Sequence, residues 1–129
     1  MTVFLTVEEA LAVARSVIGA PPEVRDLGLV ESAVARPRAS AFGADAYATL
    51  DEKAAALLQS IVRDRPLVDG NERMGFGCTA VFLHINGHPL ELDQDTAYDL
   101  VIAVATGGLA EVADIAAALR GWRTGEPSD

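Results

Sequence analysis

Arg65-Pro-Leu-Val-Asp-Gly-Asn-Glu-Arg73, continued by Met74-Gly-Phe-Gly-Cys-Thr-Ala-Val-Phe-Leu-His-Ile-Asn86, is the stretch on which the reading of this chain turns. Pro66 ends the helix before it, because the residue preceding a proline is pushed away from helical angles. Asp69-Gly70 is a turn pair. From Asn71 to Asn86 the run is apolar on most sides, with Met74, Cys78, Val81, Phe82 and Ile85 on one face and Phe76 roughly opposite. A helix of that kind belongs in the middle of a domain.

Upstream, Thr6-Val-Glu-Glu9 places a glutamate three residues after a hydroxyl, and apolar residues at 7, 10, 11, 14, 17 and 18 follow with helical spacing. This predicts a helix to Ile18, stopped by Gly19 and Pro21-Pro22. Pro22 then suits the first turn of a second helix, Glu23 to Ala35, bent near Gly28 and ended by Pro37. Residues 38 to 48 carry neither period and read as a surface loop. Thr49-Leu-Asp-Glu52 repeats the capping pattern ahead of a helix over Lys53 to Arg63.

Downstream, Gly87 fits a left-handed helix end and Asp93 caps a helix over Gln94 to Thr106. Gly107-Gly108 separates that from a last helix, Leu109 to Trp122. Nothing alternates as a strand pair needs. The expectation is all-α, a compact bundle of about six helices, with one domain over residues 1–123 and a disordered tail at 124–129.

The chain has 129 residues, half of them hydrophobic, enough to bury a proper core. No stretch approaches a membrane span, and the N-terminus reaches acidic residues too soon for a secretion signal, so the expected place is the cytoplasm. Ten basic against nineteen acidic residues give a net charge of −9, which repels phosphate backbones and argues against nucleic acid as a partner. The single cysteine, Cys78, sits among small and apolar neighbours and reads as a core residue rather than a nucleophile.

Chemistry concentrates where the sequence opened. N–H groups at Gly70 and Asn71, the positive end of the helix that follows, and Arg73 in its first turn make an anion site; Asp69 adds a carboxylate of the kind magnesium takes beside phosphate oxygens. From spacing alone, an Asp-Gly-Asn cluster before a helix is most often only a turn with a capping side chain.

The order of residues goes further. Arg65 to Arg73 resembles the signature of the Fic/Doc family, His-x-Phe-x-Asp-Gly/Ala-Asn-Lys/Gly-Arg. The flanks Arg25-Asp-Leu-Gly-Leu-Val-Glu-Ser-Ala-Val-Ala-Arg-Pro37, Phe42-Gly-Ala-Asp-Ala-Tyr47, Lys53-Ala-Ala-Ala-Leu57 and Phe82-Leu-His-Ile-Asn-Gly87 resemble its death-on-curing (Doc) branch. The likeness covers nearly the whole chain. It implies an all-helical fold with the motif at the N-terminus of a central buried helix. It further implies transfer of phosphate from ATP, with Mg2+, to a hydroxyl of elongation factor Tu, halting translation, and restraint by a cognate Phd-like antitoxin.

Carried over by position, Asp69 would hold the metal or orient the acceptor. Gly70, Asn71 and Glu72 would lie along the nucleotide phosphates, and Arg73 would neutralise them. Phe42 and Tyr47 would lie in the loop that positions the target segment, or serve simply as packed aromatics. The second arginine typical of AMP-transferring members is Phe76 here, which favours the Doc branch over a Fic-type AMP transferase.

The pattern breaks at Arg65, where the family has its catalytic histidine. Guanidinium stays protonated in proteins and offers no acceptor, so it cannot take a proton from an attacking hydroxyl. Loss of a positioned base typically costs on the order of 10² to 10⁴ in rate. Glu72 stands where a Doc protein has lysine, either as a favourable first-turn acid or as a charge that weakens nucleotide binding. Neither His84 nor His88 is placed to replace the base, and both are expected on the surface. Arg65 fits a toxin inactivated for expression, a naturally degenerate member, or an enzyme with another base; the second would make the chain a catalytically dead nucleotide- or protein-binding module.

Overall fold

The computed structural model describes residues 1–124, and residues 125–129 of the expected disordered tail lie outside the described residues. Six α-helices follow one another: α1 Val7–Ile18, α2 Leu27–Ala35, α3 Leu50–Asp64, α4 Asn71–Ile85, α5 Gln94–Thr106 and α6 Val112–Trp122. The all-helical architecture is the expected one.

Local chemistry explains most of the boundaries. At Thr6 and at Thr49 the hydroxyl accepts from the backbone N–H three residues on, while the glutamate there accepts from the cap's own N–H, so both capping boxes are complete. Asp93 caps α5 by accepting from the Thr96 N–H, and that bond holds its carboxyl below the usual carboxylate range.

Helix α4 is the axis of the bundle, with buried residues on several sides. Two glycines let its neighbours come close. A Cβ on Gly75 would stand 2.6 Å from Val62 Cγ2 of α3, and one on Gly77 would stand 3.0 Å from Val17 Cγ1 of α1. Around this contact Leu57, Leu58, Ile61, Met74, Phe82 and Leu83 are fully buried. Cys78 lies in the same core, where burial pushes its thiol up to about 12, as its reading as a core residue requires. On the far side, Asp51 in the first turn of α3 is buried against Arg120 and Arg123 from the end of α6, at 3.1 and 2.9 Å.

Four expectations need correction. The second helix starts at Leu27, not Glu23: Asp26 is its cap, and residues 23–26 run extended along 66–68. There Val68 N–H donates to Glu23 O, Arg25 and Asp26 N–H both donate to Pro66 O, and Val24 bridges Leu67. Gly28 therefore sits in a first turn rather than at a bend. The loop at 38 to 48 contains a short antiparallel pair, β1 Ser40–Ala41 with β2 Ala44–Asp45, preceded by a 3-10 turn at Arg36–Arg38. Phe42 and Gly43, both at positive φ, make the tight turn between the strands, a signal too short for periodicity to register.

The last helix begins at Val112, after its cap Glu111, rather than at Leu109. Finally, two faces are exchanged at the end of α4: Ile85 is 41 % exposed, while His88, expected on the surface, is 5 % exposed and His84 stays outside. His88 is buried because residues 89–91 pair with 122–124, through Glu91 N–H to Trp122 O and Thr124 N–H to Pro89 O, and its Nδ1 lies 3.2 Å from Thr124 O.

Candidate functional site at the N-terminus of the central helix

The turn that delivers the chain from α3 into α4 is built by backbone constraints at both ends. Arg65 ends α3 in the left-handed region at φ +54, uncommon for a residue with a side chain. Arg25 holds it there, donating from Nε to Arg65 O and from Nη2 to Asp64 O, both at 2.8 Å. These bonds satisfy carbonyls that the end of a helix leaves without partners. Gly70 is the cap of α4 at φ +88, an angle that side chains rarely adopt. A Cβ there would meet Ile18 Cδ1 at 2.6 Å, so a larger residue is strained and Ile18 must shift to admit it.

Between these ends, Asn71 closes the turn. Its Oδ1 accepts from Leu67 N–H at 2.9 Å and its Nδ2 donates to Leu67 O at 3.0 Å, with the side chain fully buried. The amide of Asn71 therefore points into the protein and shapes the turn; what it can offer a ligand is its backbone N–H. The first backbone bond of α4 runs from Met74 N–H to Gly70 O, so the N–H groups of Asn71, Glu72 and Arg73 have no partner within the helix. Gly70 differs from the sequence reading in one respect: its N–H donates to Asp69 Oδ1 at 2.9 Å and is not free.

This helix start opens on a cavity of about 630 Å³. Asp69, Gly70, Glu72 and Arg73 form one wall, Ile18 and residues 20–23 a second, and Val68, Tyr98 and Ile102 the remainder. A smaller apolar hollow of about 240 Å³, walled by Val17, Phe76, Ala97 and Val101, shares Glu72, Arg73 and Tyr98 with it. Of the residues singled out from sequence, Asp69, Gly70, Glu72 and Arg73 thus come together on one surface.

Arg65 does not line that cavity. Its Nη1 reaches Glu72 Oε2 at 2.9 Å across the outside of the turn, the two side chains being 50 % and 37 % exposed. The two residues that depart from the motif are therefore ion-paired with each other. Phe42 and Tyr47 part company: Phe42 stands fully in solvent at the tip of the β1–β2 hairpin, whereas the Tyr47 hydroxyl accepts from Arg36 Nε at 2.8 Å and its carbonyl from Lys53 Nζ. Tyr47 anchors the hairpin; Phe42 is presented by it.

Sequence reasoning missed Arg25, Glu23, Tyr98 and Ile102. Arg25 lay in a quoted flank, but its donation across forty positions leaves no local trace. Tyr98 and Ile102 are one turn apart on α5, and only packing brings them to α4.

An acceptor for magnesium phosphate needs one or two carboxylates and N–H donors, with phosphate oxygens completing the shell. Asp69 beside the open start of α4 meets that requirement. Among the described residues no group of three or more His, Cys, Asp or Glu side chains converges to hold a metal by protein ligands alone.

A helical domain with this turn at the head of its central helix belongs to the Fic/DOC family, whose model matches residues 4–83. The chain is also 46 % identical, over 124 residues and 95 % of each chain, to a protein of Mycolicibacterium smegmatis (strain ATCC 700084 / mc(2)155) named Toxin Doc. That likeness supports the Doc branch drawn from the flanks. No helix among the described residues is long and apolar enough to cross a membrane.

Proposed function

We propose that this chain is a Doc-type toxin of a toxin–antitoxin pair, working in the cytoplasm. It transfers phosphate from ATP, with Mg2+, to a hydroxyl of elongation factor Tu, and Arg65 in place of the motif histidine leaves it inactive or weak. The observation that carries the proposal is the turn at residues 69–73. Its Asp69, open first-turn N–H groups and Arg73 face one cavity, in a chain 46 % identical to a protein named Toxin Doc.

In this reading the N–H groups of Asn71, Glu72 and Arg73 donate to phosphate oxygens at the positive end of α4, and the Arg73 guanidinium neutralises them. Asp69 carries the metal, which supplies charge neutralisation of the phosphates when bound. The hairpin 40–45, with Phe42 at its tip and Tyr47 and Lys53 as its anchor, meets the acceptor segment. A cognate Phd-like antitoxin restrains the toxin; nucleic acid is not its partner. With Arg65 at the motif position, the proton acceptor that the family places there is missing, which costs about 10² to 10⁴ in rate.

A second reading is a catalytically dead module that still binds nucleotide or a partner protein. The Arg65–Glu72 pair favours it, because the side chain at the base position is committed to a carboxylate. AMP transfer is the weaker reading, because Phe76, partly buried against the core, provides no cation where the second arginine would stand.

Expression in a bacterial host tests the toxin reading. Arg65→His, alone and with Glu72→Lys, is induced while growth and transfer of labelled phosphate from ATP to elongation factor Tu are followed. Growth arrest with labelling is expected from the double variant; unchanged growth and no labelling in both strikes the toxin reading and leaves the binding module.

A further inference from the structure

We infer that Arg65 is a positioning residue for anion binding that acts through Glu72, the two side chains being one compensated unit. The inference rests on the reading of the α4 N-terminus as a phosphate site. It starts from the ion pair of 2.9 Å that spans the turn from the last residue of α3 to the first turn of α4.

Arg65 is held in place by more than its partner. Its backbone sits at φ +54, a conformation that costs energy for a residue with a Cβ and persists only where the surroundings enforce it. The surroundings are the 3.2 Å bond from Arg65 N–H to Ile61 O and the two bonds from Arg25 to the carbonyls of residues 64 and 65. The guanidinium therefore leaves the backbone from a fixed point, on the outer side of the turn.

Glu72 is the only acid in the first turn of α4, next to Arg73 and within the ring of free N–H groups. Left alone, its carboxylate would be drawn to those N–H groups and to the positive end of the helix, as acids at such positions are. There it would compete with an incoming phosphate and repel it. With Glu72 bound to Arg65 at 2.9 Å, its charge is compensated, so the carboxylate that shares the cavity wall with Arg73 repels an incoming phosphate less. The consequence is that neither departure from the motif is independent of the other. Replacing Arg65 alone releases an acid beside the phosphates, and replacing Glu72 alone by lysine sets two cations against each other.

Calorimetric titration of the intact protein with Mg-ATP, and with inorganic pyrophosphate as a probe of charge alone, tests this in four proteins. They are the parent, Arg65→Ala, Glu72→Gln and the double variant, each first checked for an unchanged far-UV spectrum and melting point. Arg65→Ala is expected to weaken both ligands about five- to tenfold, the scale of one screened charge interaction at contact distance. In the Glu72→Gln background the same replacement changes affinity less than about twofold, because the acid it controls is gone. A fifth protein, Arg65→Lys, recovers most of the loss, and the loss shrinks as salt is raised.

An equal loss with and without Glu72 means that Arg65 contacts the anion itself and overturns the inference. Binding indifferent to Arg65 also overturns it, with the phosphate site standing. Absence of binding in all four proteins, Glu72→Gln included, removes the phosphate site and the inference with it.

Discussion

Two clasps close the same turn, and they differ in everything except the loop they span. The inner one joins Asn71 to both backbone groups of Leu67 and is fully buried; the outer one joins Arg65 to Glu72 and is half in water. Buried amide bonds cannot be exchanged for bonds to water without leaving donors and acceptors unpaired, so the inner clasp determines shape. An exposed ion pair exchanges with solvent at little cost and is screened by salt, so the outer one determines charge. A motif can thus keep its form while its chemistry is rewritten, provided the changes fall on the outer clasp.

The sharpest way to break this division is Asn71→Ala, which orphans Leu67 N–H and C=O in the interior. A loss of about 2–4 kcal/mol in urea unfolding is expected. Gly70→Ala comes next. It places a Cβ at positive φ and 2.6 Å from Ile18 Cδ1, with an expected cost of about 1–3 kcal/mol in the same measurement.

Arg65→Ala should change stability by less than about 1 kcal/mol, since its partner is exposed, while still altering anion affinity. A stability loss as large as that of Asn71→Ala would erase the distinction between the two clasps.

Cys78 offers a finer reading of the same contrast. With its thiol pushed up to about 12 by burial, it is protonated and shielded at neutral pH, and alkylation requires the core to open. Labelling with iodoacetamide at pH 7.5 should be slow in the parent, faster in Asn71→Ala and unchanged in Arg65→Ala. Equal rates in all three would mean that the inner clasp does not hold the core.

Much of the fold was legible because its signals are local. Thr6-Val-Glu-Glu9 and Thr49-Leu-Asp-Glu52 each complete a capping box within four residues, and Asp93 caps α5 by a bond three residues long. Of the site, Asp69, Gly70, Glu72 and Arg73 were identifiable because a turn and a helix start place them together without help from elsewhere. The hairpin at 40–45 was missed because two-residue strands carry no period. The late start of α2 was missed because Glu23 to Asp26 are held extended by backbone bonds with Pro66 and Val68, forty or more positions away. His88 reads as a surface residue until residues 122–124 close over it.

By itself, then, the sequence determined the helices, the turn at 69–70 and the family, since each depends on neighbours in the chain and on residue order. Only the tertiary structure decided what the motif side chains do. Asn71 faces inward because Leu67 leaves its backbone groups to be satisfied in the core. Arg65 faces Glu72 because Arg25, reaching from the strand-like segment before α2, holds its backbone in a conformation that Arg65 would not adopt unaided. Side-chain direction follows from packing between distant segments, and that is information a linear pattern does not contain.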